Sequence, residues 1–164
     1  MAPKYLLDAN VFIQSARSYY AFDLAPAFWQ ALINQAADGR VRSIDRVKKE
    51  LLRGNDDLAA WAKDEFGAYF ARTDQSHVVE AYRDIMVWVQ QQGQFTTAAK
   101  AHFADGADGW LIAYAKVNEY VVVTHEQFRQ DVKRTIPIPN VCRAFSVDYI
   151  DTFAMLRALG VKLG

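Results

Sequence analysis

The sequence predicts an α/β fold, a parallel sheet covered by helices. Three observations carry this. Strand and helix signals alternate along the chain. Tyr5-Leu6-Leu7 and Tyr120-Val121-Val122-Val123-Thr124 are continuous apolar or β-branched runs, the pattern of strands buried on both faces. The 164 residues contain no linker, repeat or low-complexity stretch, so residues 1–164 are expected as a single domain.

The elements follow in order. Tyr5-Leu6-Leu7 is the first strand, and it stops on Asp8. Val11 to Tyr20 is expected to be helical. Asp23 is placed to cap a second helix through Ala37, with Pro26 tolerated in its first turn and Asp38-Gly39 ending it. Val41-Arg42-Ser43-Ile44 is a short strand. Asp45 then caps Arg46 to Arg53, with Gly54 as a left-handed stop. Asn55-Asp56-Asp57 starts a helix with Leu58, Trp61, Ala62 and Phe66 on one face. Ser76 to Gln92 is the next, with Val78, Val79, Tyr82, Ile85, Met86 and Val89 at helical spacing. A polar connection runs from Gln90 to Thr97. Asp105 to Asn118 reads as one helix, apolar nearly all round and therefore interior. Tyr120 to Thr124 is the clearest strand. Ile136-Pro137-Ile138-Pro139 is expected as an edge or loop because proline cannot donate to a ladder. A last strand ends near Ile150, and Thr152 caps a closing helix through Leu159, stopped by Gly160.

Just over half the residues are hydrophobic, as in an ordinary globular protein. No apolar stretch approaches the roughly 20 residues that cross a bilayer, so no membrane association is expected. The first residues carry no export signal, which makes the expected compartment the cytoplasm. The single cysteine, Cys142, reads as a small core side chain. Lys+Arg and Asp+Glu balance at 19 each, which argues against a protein held on nucleic acid by bulk charge. The charge is unevenly placed, however: Arg40, Arg42, Arg46, Lys48, Lys49 and Arg53 cluster against only Asp45 and Glu50. That segment is either a solvated helix face or a phosphate-contacting patch.

Asp8 falls at the carboxyl end of a buried strand, the edge where ligands bind in open α/β sheets. Three further carboxylates occupy comparable places. Glu50 sits beside the buried stripe Val47, Leu51 and Leu52 of the helix after the second strand. Asp108 lies in the first turn of the buried helix, and Glu126 comes two residues after the strand ending at Thr124. With parallel strands, all four project toward one sheet edge. Each also has a plain explanation. Asp8 suits an N-cap, and Glu50 suits a surface pair with Arg46 or Arg53. Asp108 suits a first-turn acid, with Asp105 as the cap. Together they form a self-repelling cluster, whose remedy is protonation or a bound cation. Oxygen donors select a hard ion, Mg²⁺ or Mn²⁺. The histidines form no zinc spacing; His125-Glu126 begins a His-Glu-x-x-His pattern, but Arg129 stands at the second histidine position.

Leu6-Leu7-Asp8-Ala9-Asn10-Val11-Phe12-Ile13 resembles the opening motif of the PIN-domain superfamily, which includes the VapC-like ribonuclease toxins. Ser43-Ile44-Asp45-Arg46-Val47-Lys48-Lys49-Glu50-Leu51 is similar to that family's glutamate-bearing helix. Asp108-Gly109-Trp110-Leu111-Ile112-Ala113-Tyr114-Ala115 resembles its Asp-x-x-Ile/Leu helix, and Val122-Val123-Thr124-His125-Glu126 its strand leading to a fourth acid. The resemblance implies a three-layer α/β/α sandwich around a mostly parallel sheet. It also implies an endoribonuclease that uses Mg²⁺ or Mn²⁺ held by Asp8, Glu50 and Asp108, with Glu126 or Asp131 as the fourth acid. Asn10 would orient Asp8 or hold a water, and Thr124 would hydrogen-bond near the site. Arg46, Lys48, Lys49 and Arg53 are the candidate RNA contacts, and Tyr19, Tyr20 and Trp29 suit core packing first and stacking on unpaired bases second. A toxin of this family implies a cognate antitoxin, and a homodimer through apolar helices between Asp56 and Gln92. The chain is longer than the compact toxins, with extra material around Tyr19 to Pro26 and Asp56 to Gln92. The alternative is a PIN scaffold that binds a protein and no longer catalyses. A haloacid-dehalogenase-like phosphatase would need a second aspartate at Asn10, and a phosphorylation receiver would need adjacent acids and a late-strand lysine.

Overall fold

The computed structural model describes residues 2–164. The strands β1 (Tyr5–Leu7), β2 (Val41–Ile44), β3 (Phe70–Ala71), β4 (Val121–Val123) and β5 (Tyr149–Ile150) form one sheet in the order β3-β2-β1-β4-β5. Every pairing is parallel. β1 is central, with Tyr5 paired to both Val41 and Val121. Tyr5, Leu6 and Leu7 point alternately to opposite faces, yet all three are buried, so helices cover the sheet on both sides. The expected three-layer α/β/α arrangement is the one observed. Parallel strands also bring their carboxyl ends to one edge. That edge carries Asp8 after β1, Thr124 after β4 and Asp151 after β5.

The helices are α1 (Ala9–Gln14), α2 (Pro26–Ala37), α3 (Asp45–Leu52), α4 (Asp57–Asp64), α5 (Ser76–Gln91), α6 (Thr97–Asp105), α7 (Asp108–Asn118), α8 (Ile138–Ala144) and α9 (Thr152–Ala158). α1 does not continue as an α-helix to Tyr20. It widens into a π turn over Ser15–Tyr19, closed by the Tyr20 N–H donating to the Ser15 carbonyl at 2.7 Å. The extra segments supply an aromatic core: Trp61 packs against Phe12 (6.0 Å between ring centroids), Trp29 (4.8 Å) and Phe66 (5.1 Å), and Phe22 stacks on Trp29 at 4.1 Å. The apolar stripe of α5 packs within the chain. Val78, Ala81, Ile85 and Val89 are buried, and α5 lies along α7.

Several local expectations are corrected. Asp23 does not cap α2, whose first residues follow a turn on the Ala21 carbonyl. Asp45 is the first residue of α3 rather than its cap, and its carboxylate is held by the Thr73 hydroxyl at 2.8 Å. Asn55, not Gly54, takes the left-handed conformation after α3 (φ 49°). Asp105 to Asn118 is two helices, broken at Gly106-Ala107. Ile136 to Pro139 leads into a helix: Pro137 is the N-cap of α8 and Pro139 sits in its first turn, where a missing N–H costs nothing. Asp151 rather than Thr152 caps α9, accepting from the Ala154 N–H at 2.8 Å.

Candidate active site

Asp8 is the first residue past β1. Its N–H still donates to the Val123 carbonyl of β4, so its backbone is fixed by the sheet. The side chain is 1 % exposed. One carboxylate oxygen accepts from the Val11 N–H at 2.8 Å, capping α1, and the other accepts from the Thr124 hydroxyl at 2.9 Å. The plain N-cap role therefore holds, and it leaves room for a second one. Thr124 is buried at the end of β4, and its Oγ1 also accepts from the Glu126 N–H at 3.1 Å. One hydroxyl thus ties Asp8 to the segment that carries Glu126.

Glu50 lies in the last turn of α3, where Val47 and Leu51 are buried. No ion pair joins it to Arg46 or Arg53 among the described residues. Its carboxylate reaches the Ala107 N–H at 3.3 Å, one of the free amides at the start of α7, a helix without a side-chain cap. Asp108 is the first residue of α7. Glu126 accepts from the Ile138 N–H at 3.1 Å, at the start of α8. The N-termini of α1, α7 and α8 therefore all hold acids of this one cluster, where helix dipoles favour negative charge. The amides of Ala107 and Ile138 are site components that no side-chain pattern announces.

The electrostatics join the four. Burial lifts the Asp8 carboxyl to about 7 despite hydrogen bonds from Val11, Thr124 and Asn10, and the Glu126 charge adds to the lift. Burial raises Asp108 well above the usual carboxylate range, and the charges of Glu126, Asp8 and Glu50 raise it further. Burial also raises Glu126, against the Ile138 hydrogen bond. No lysine or arginine offsets Asp8 or Asp108 among the described residues. Asp108 thus feels all three of the other carboxylates. This donor set, oxygen only and short of positive charge, fits a hard divalent cation. Among the described residues no three His, Cys, Asp or Glu side chains stand close enough together to hold a metal ion; three of the four acids hold backbone amides instead.

The remaining candidates separate. Asn10 is exposed and lines a cleft of about 240 Å³ with Glu50, Asp108 and Ala107. Asp105 ends α6, exposed, and does not cap α7. Asp131 is exposed in the loop after β4. The basic cluster splits as well. Arg40 donates to the Pro3 carbonyl and Arg42 to the Ala36 carbonyl, which makes both structural. Arg46 lies 4.0 Å over the Trp110 ring, itself stacked on Tyr82 at 3.7 Å. Lys48 is half-buried, while Lys49 and Arg53 are exposed. Cys142 is a buried free thiol pushed up to about 12 by burial and by the Glu126, Asp108 and Asp148 charges. A larger cleft, about 760 Å³ and lined by Tyr5, Val121, Cys142 and Val147, contains none of the four acids.

A family model described as "Domain of unknown function (DUF4411)" matches residues 5–163, nearly the whole chain. The chain belongs to the DUF4411 family. Among solved structures, this DUF4411 chain is similar to one described as the crystal structure of FitAcB from Neisseria gonorrhoeae. The TM-score is 0.53 at 18 % identity, covering 89 % of this chain and 96 % of that one. At that identity the likeness speaks to the fold, a helix-flanked five-stranded parallel sheet consistent with a PIN-like domain. No protein with a curated description matches the DUF4411 chain. No helix among the described residues is long and apolar enough to cross a membrane.

Proposed function

We propose that this chain is a Mg²⁺- or Mn²⁺-dependent endoribonuclease and the toxin of a toxin–antitoxin pair. The observation that carries the reading is Asp108 at the head of α7, whose carboxyl is raised first by burial and then by the charges of Glu126, Asp8 and Glu50. Four acids on separate elements, brought to the carboxyl edge of a parallel sheet without a counter-cation, are costly unless a cation binds. A divalent ion bound there supplies an activated water and a clamp on the scissile phosphate. Asp8, Glu50, Asp108 and Glu126 would hold it. Asp8 is aimed by the Val11 amide and the Thr124 hydroxyl, and Thr124 positions the Glu126 segment from its other side. Glu50 and Glu126, which accept from the Ala107 and Ile138 amides, would have to give up those bonds to hold it. Asn10, exposed at the mouth of the cleft, is placed to hold a water or a phosphate oxygen. Arg46 presents a guanidinium on the Trp110 face one helical turn from Glu50, and Lys49 and Arg53 stand free for flanking phosphates.

The test is cleavage of single-stranded RNA in Mn²⁺ by the full chain and by Asp8→Asn. Loss of cleavage in a folded variant supports the reading, and full activity removes Asp8 from the site. A protein partner that inserts a basic segment beside Asp108 suits the uncompensated acids, and an antitoxin is proposed as that partner. One observation favours a second reading, an inactive PIN scaffold that binds a protein: three of the acids already satisfy backbone amides. Absence of Mn²⁺-dependent cleavage by the unmodified chain would favour it.

A further inference from the structure

Next to the acids lies a second cleft of about 610 Å³, and Thr124 and Glu126 form part of its lining. Its other walls include Tyr19, His125, Phe128, Phe153, Arg143 and the carboxylate-bearing Asp151. Of the large hydrophobic side chains exposed among the described residues, two are aromatic, Tyr19 at 52 % and Phe128 at 36 %, and both line this cleft. The other aromatics offered for stacking are used internally. Tyr20 stacks on Phe28 at 4.2 Å, and Trp29 is buried in the core.

The exposed rings are held in place. The π turn over Ser15–Tyr19 brings Tyr19 to the cleft, where it lies 5.7 Å from the His125 ring and edge-on to Phe153 at 5.5 Å. His125 is fixed in turn by a 2.9 Å hydrogen bond between Nε2 and the Thr152 hydroxyl. Also in the cleft, the Arg143 guanidinium lies 3.9 Å over Phe128, and its Nε donates to the Tyr149 hydroxyl at 3.1 Å. Gln127, exposed at the rim, offers an amide donor and acceptor together. Exposed rings, an amide that can read a base edge and a guanidinium that can take a phosphate match an unpaired nucleotide. A base inside a duplex has no free face to stack.

We propose that this cleft is a nucleobase subsite for single-stranded RNA, with Tyr19 and Phe128 as its stacking faces and Arg143 as a phosphate contact. The proposal rests on the ribonuclease reading. A strand whose phosphate lies at Asp8 and Asp108 places a neighbouring base here, because Thr124 and Glu126 belong to both places.

The experiment is fluorescence anisotropy with the full chain and a fluorescein-labelled single-stranded RNA of about twelve nucleotides in Ca²⁺, beside Mn²⁺-dependent cleavage of the same RNA. Tyr19→Ala and Phe128→Ala are expected to weaken binding about 5- to 100-fold each. Tyr19→Phe, which keeps the ring, is expected to bind as the unmodified chain does, and Mn²⁺ affinity by calorimetry is expected to stay constant in all three. Unchanged RNA affinity in both alanine variants, with cleavage intact, overturns the subsite and leaves the ribonuclease reading standing. A loss in Tyr19→Phe as large as in Tyr19→Ala overturns stacking as the interaction. An unmodified chain that neither binds nor cleaves the RNA overturns both.

Discussion

Replacing Asp8 by asparagine is expected to stabilise the metal-free protein, and to do so more as pH rises. Burial holds the folded carboxyl at about 7 against an ordinary 3.8. That gap corresponds to about 4 kcal/mol at roughly 1.4 kcal/mol per pH unit. Below about pH 4 both states carry the proton and the group is neutral in its effect. Between about pH 4 and pH 7 the unfolded chain has released it and the folded chain has not, so stability falls with rising pH. Above about pH 7 the full cost is present. Asparagine removes the charge and is an equally good N-cap, so the Val11 N–H keeps its acceptor. The advantage of Asp8→Asn should therefore widen by about 3 kcal/mol between about pH 5 and pH 8. In a domain of this size that is a relative rise in Tm of about 6–12 °C. The assay is thermal unfolding followed by circular dichroism in EDTA across that range. A variant less stable than the unmodified chain at about pH 8, or a gap independent of pH, would mean that Asp8 carries no buried-charge cost.

Thr124→Val should cost about 1–3 kcal/mol in urea unfolding, because Asp8 loses a donor and the Glu126 N–H an acceptor. The same change should raise the Asp8 carboxyl further, read by carbon NMR titration, since the Thr124 hydrogen bond is one of the groups lowering it. Gly109→Ala should destabilise by about 1–3 kcal/mol. A methyl there meets Tyr82 at 3.0 Å and Phe103 at 3.3 Å, and Tyr82 has little freedom to move because its ring is stacked on Trp110. Trp61→Ala should cost about 3–5 kcal/mol in the same assay, since it empties the centre of the ring cluster formed by Phe12, Trp29 and Phe66.

The parts of the fold that follow from short-range pattern were legible. β1 and β4 are apolar runs ended by polar residues, β2 is a short stretch bounded by Asp38-Gly39 and Asp45, and α5 has a helical stripe. β3 was missed because two residues, Phe70 and Ala71, hold no period. α6 was missed because Thr97–Asp105 is mostly alanine and polar residues and has little sidedness. α8 was hidden by Pro137 and Pro139, which mark a helix start as readily as a break. At the site, the four acids could be picked from their places after strands or on helices. Their partners could not. Ala107 meets Glu50 across 57 positions of sequence, and Thr124 meets Asp8 across 116. The amides of Ala107 and Ile138 carry no side-chain signal. The split of the basic cluster was equally invisible, because it depends on whether a ring such as Trp110 lies under Arg46.

The central claim is that Asp8, Glu50, Asp108 and Glu126 act as one divalent-cation site. Isothermal titration of Mn²⁺ into the full chain and into Asp108→Asn tests it most directly. Saturable binding by the unmodified chain is expected, with proton release near neutral pH as the raised carboxyls of Asp8 and Asp108 ionise, and loss of that binding in Asp108→Asn. No binding by the unmodified chain, or equal binding by the two, would contradict it.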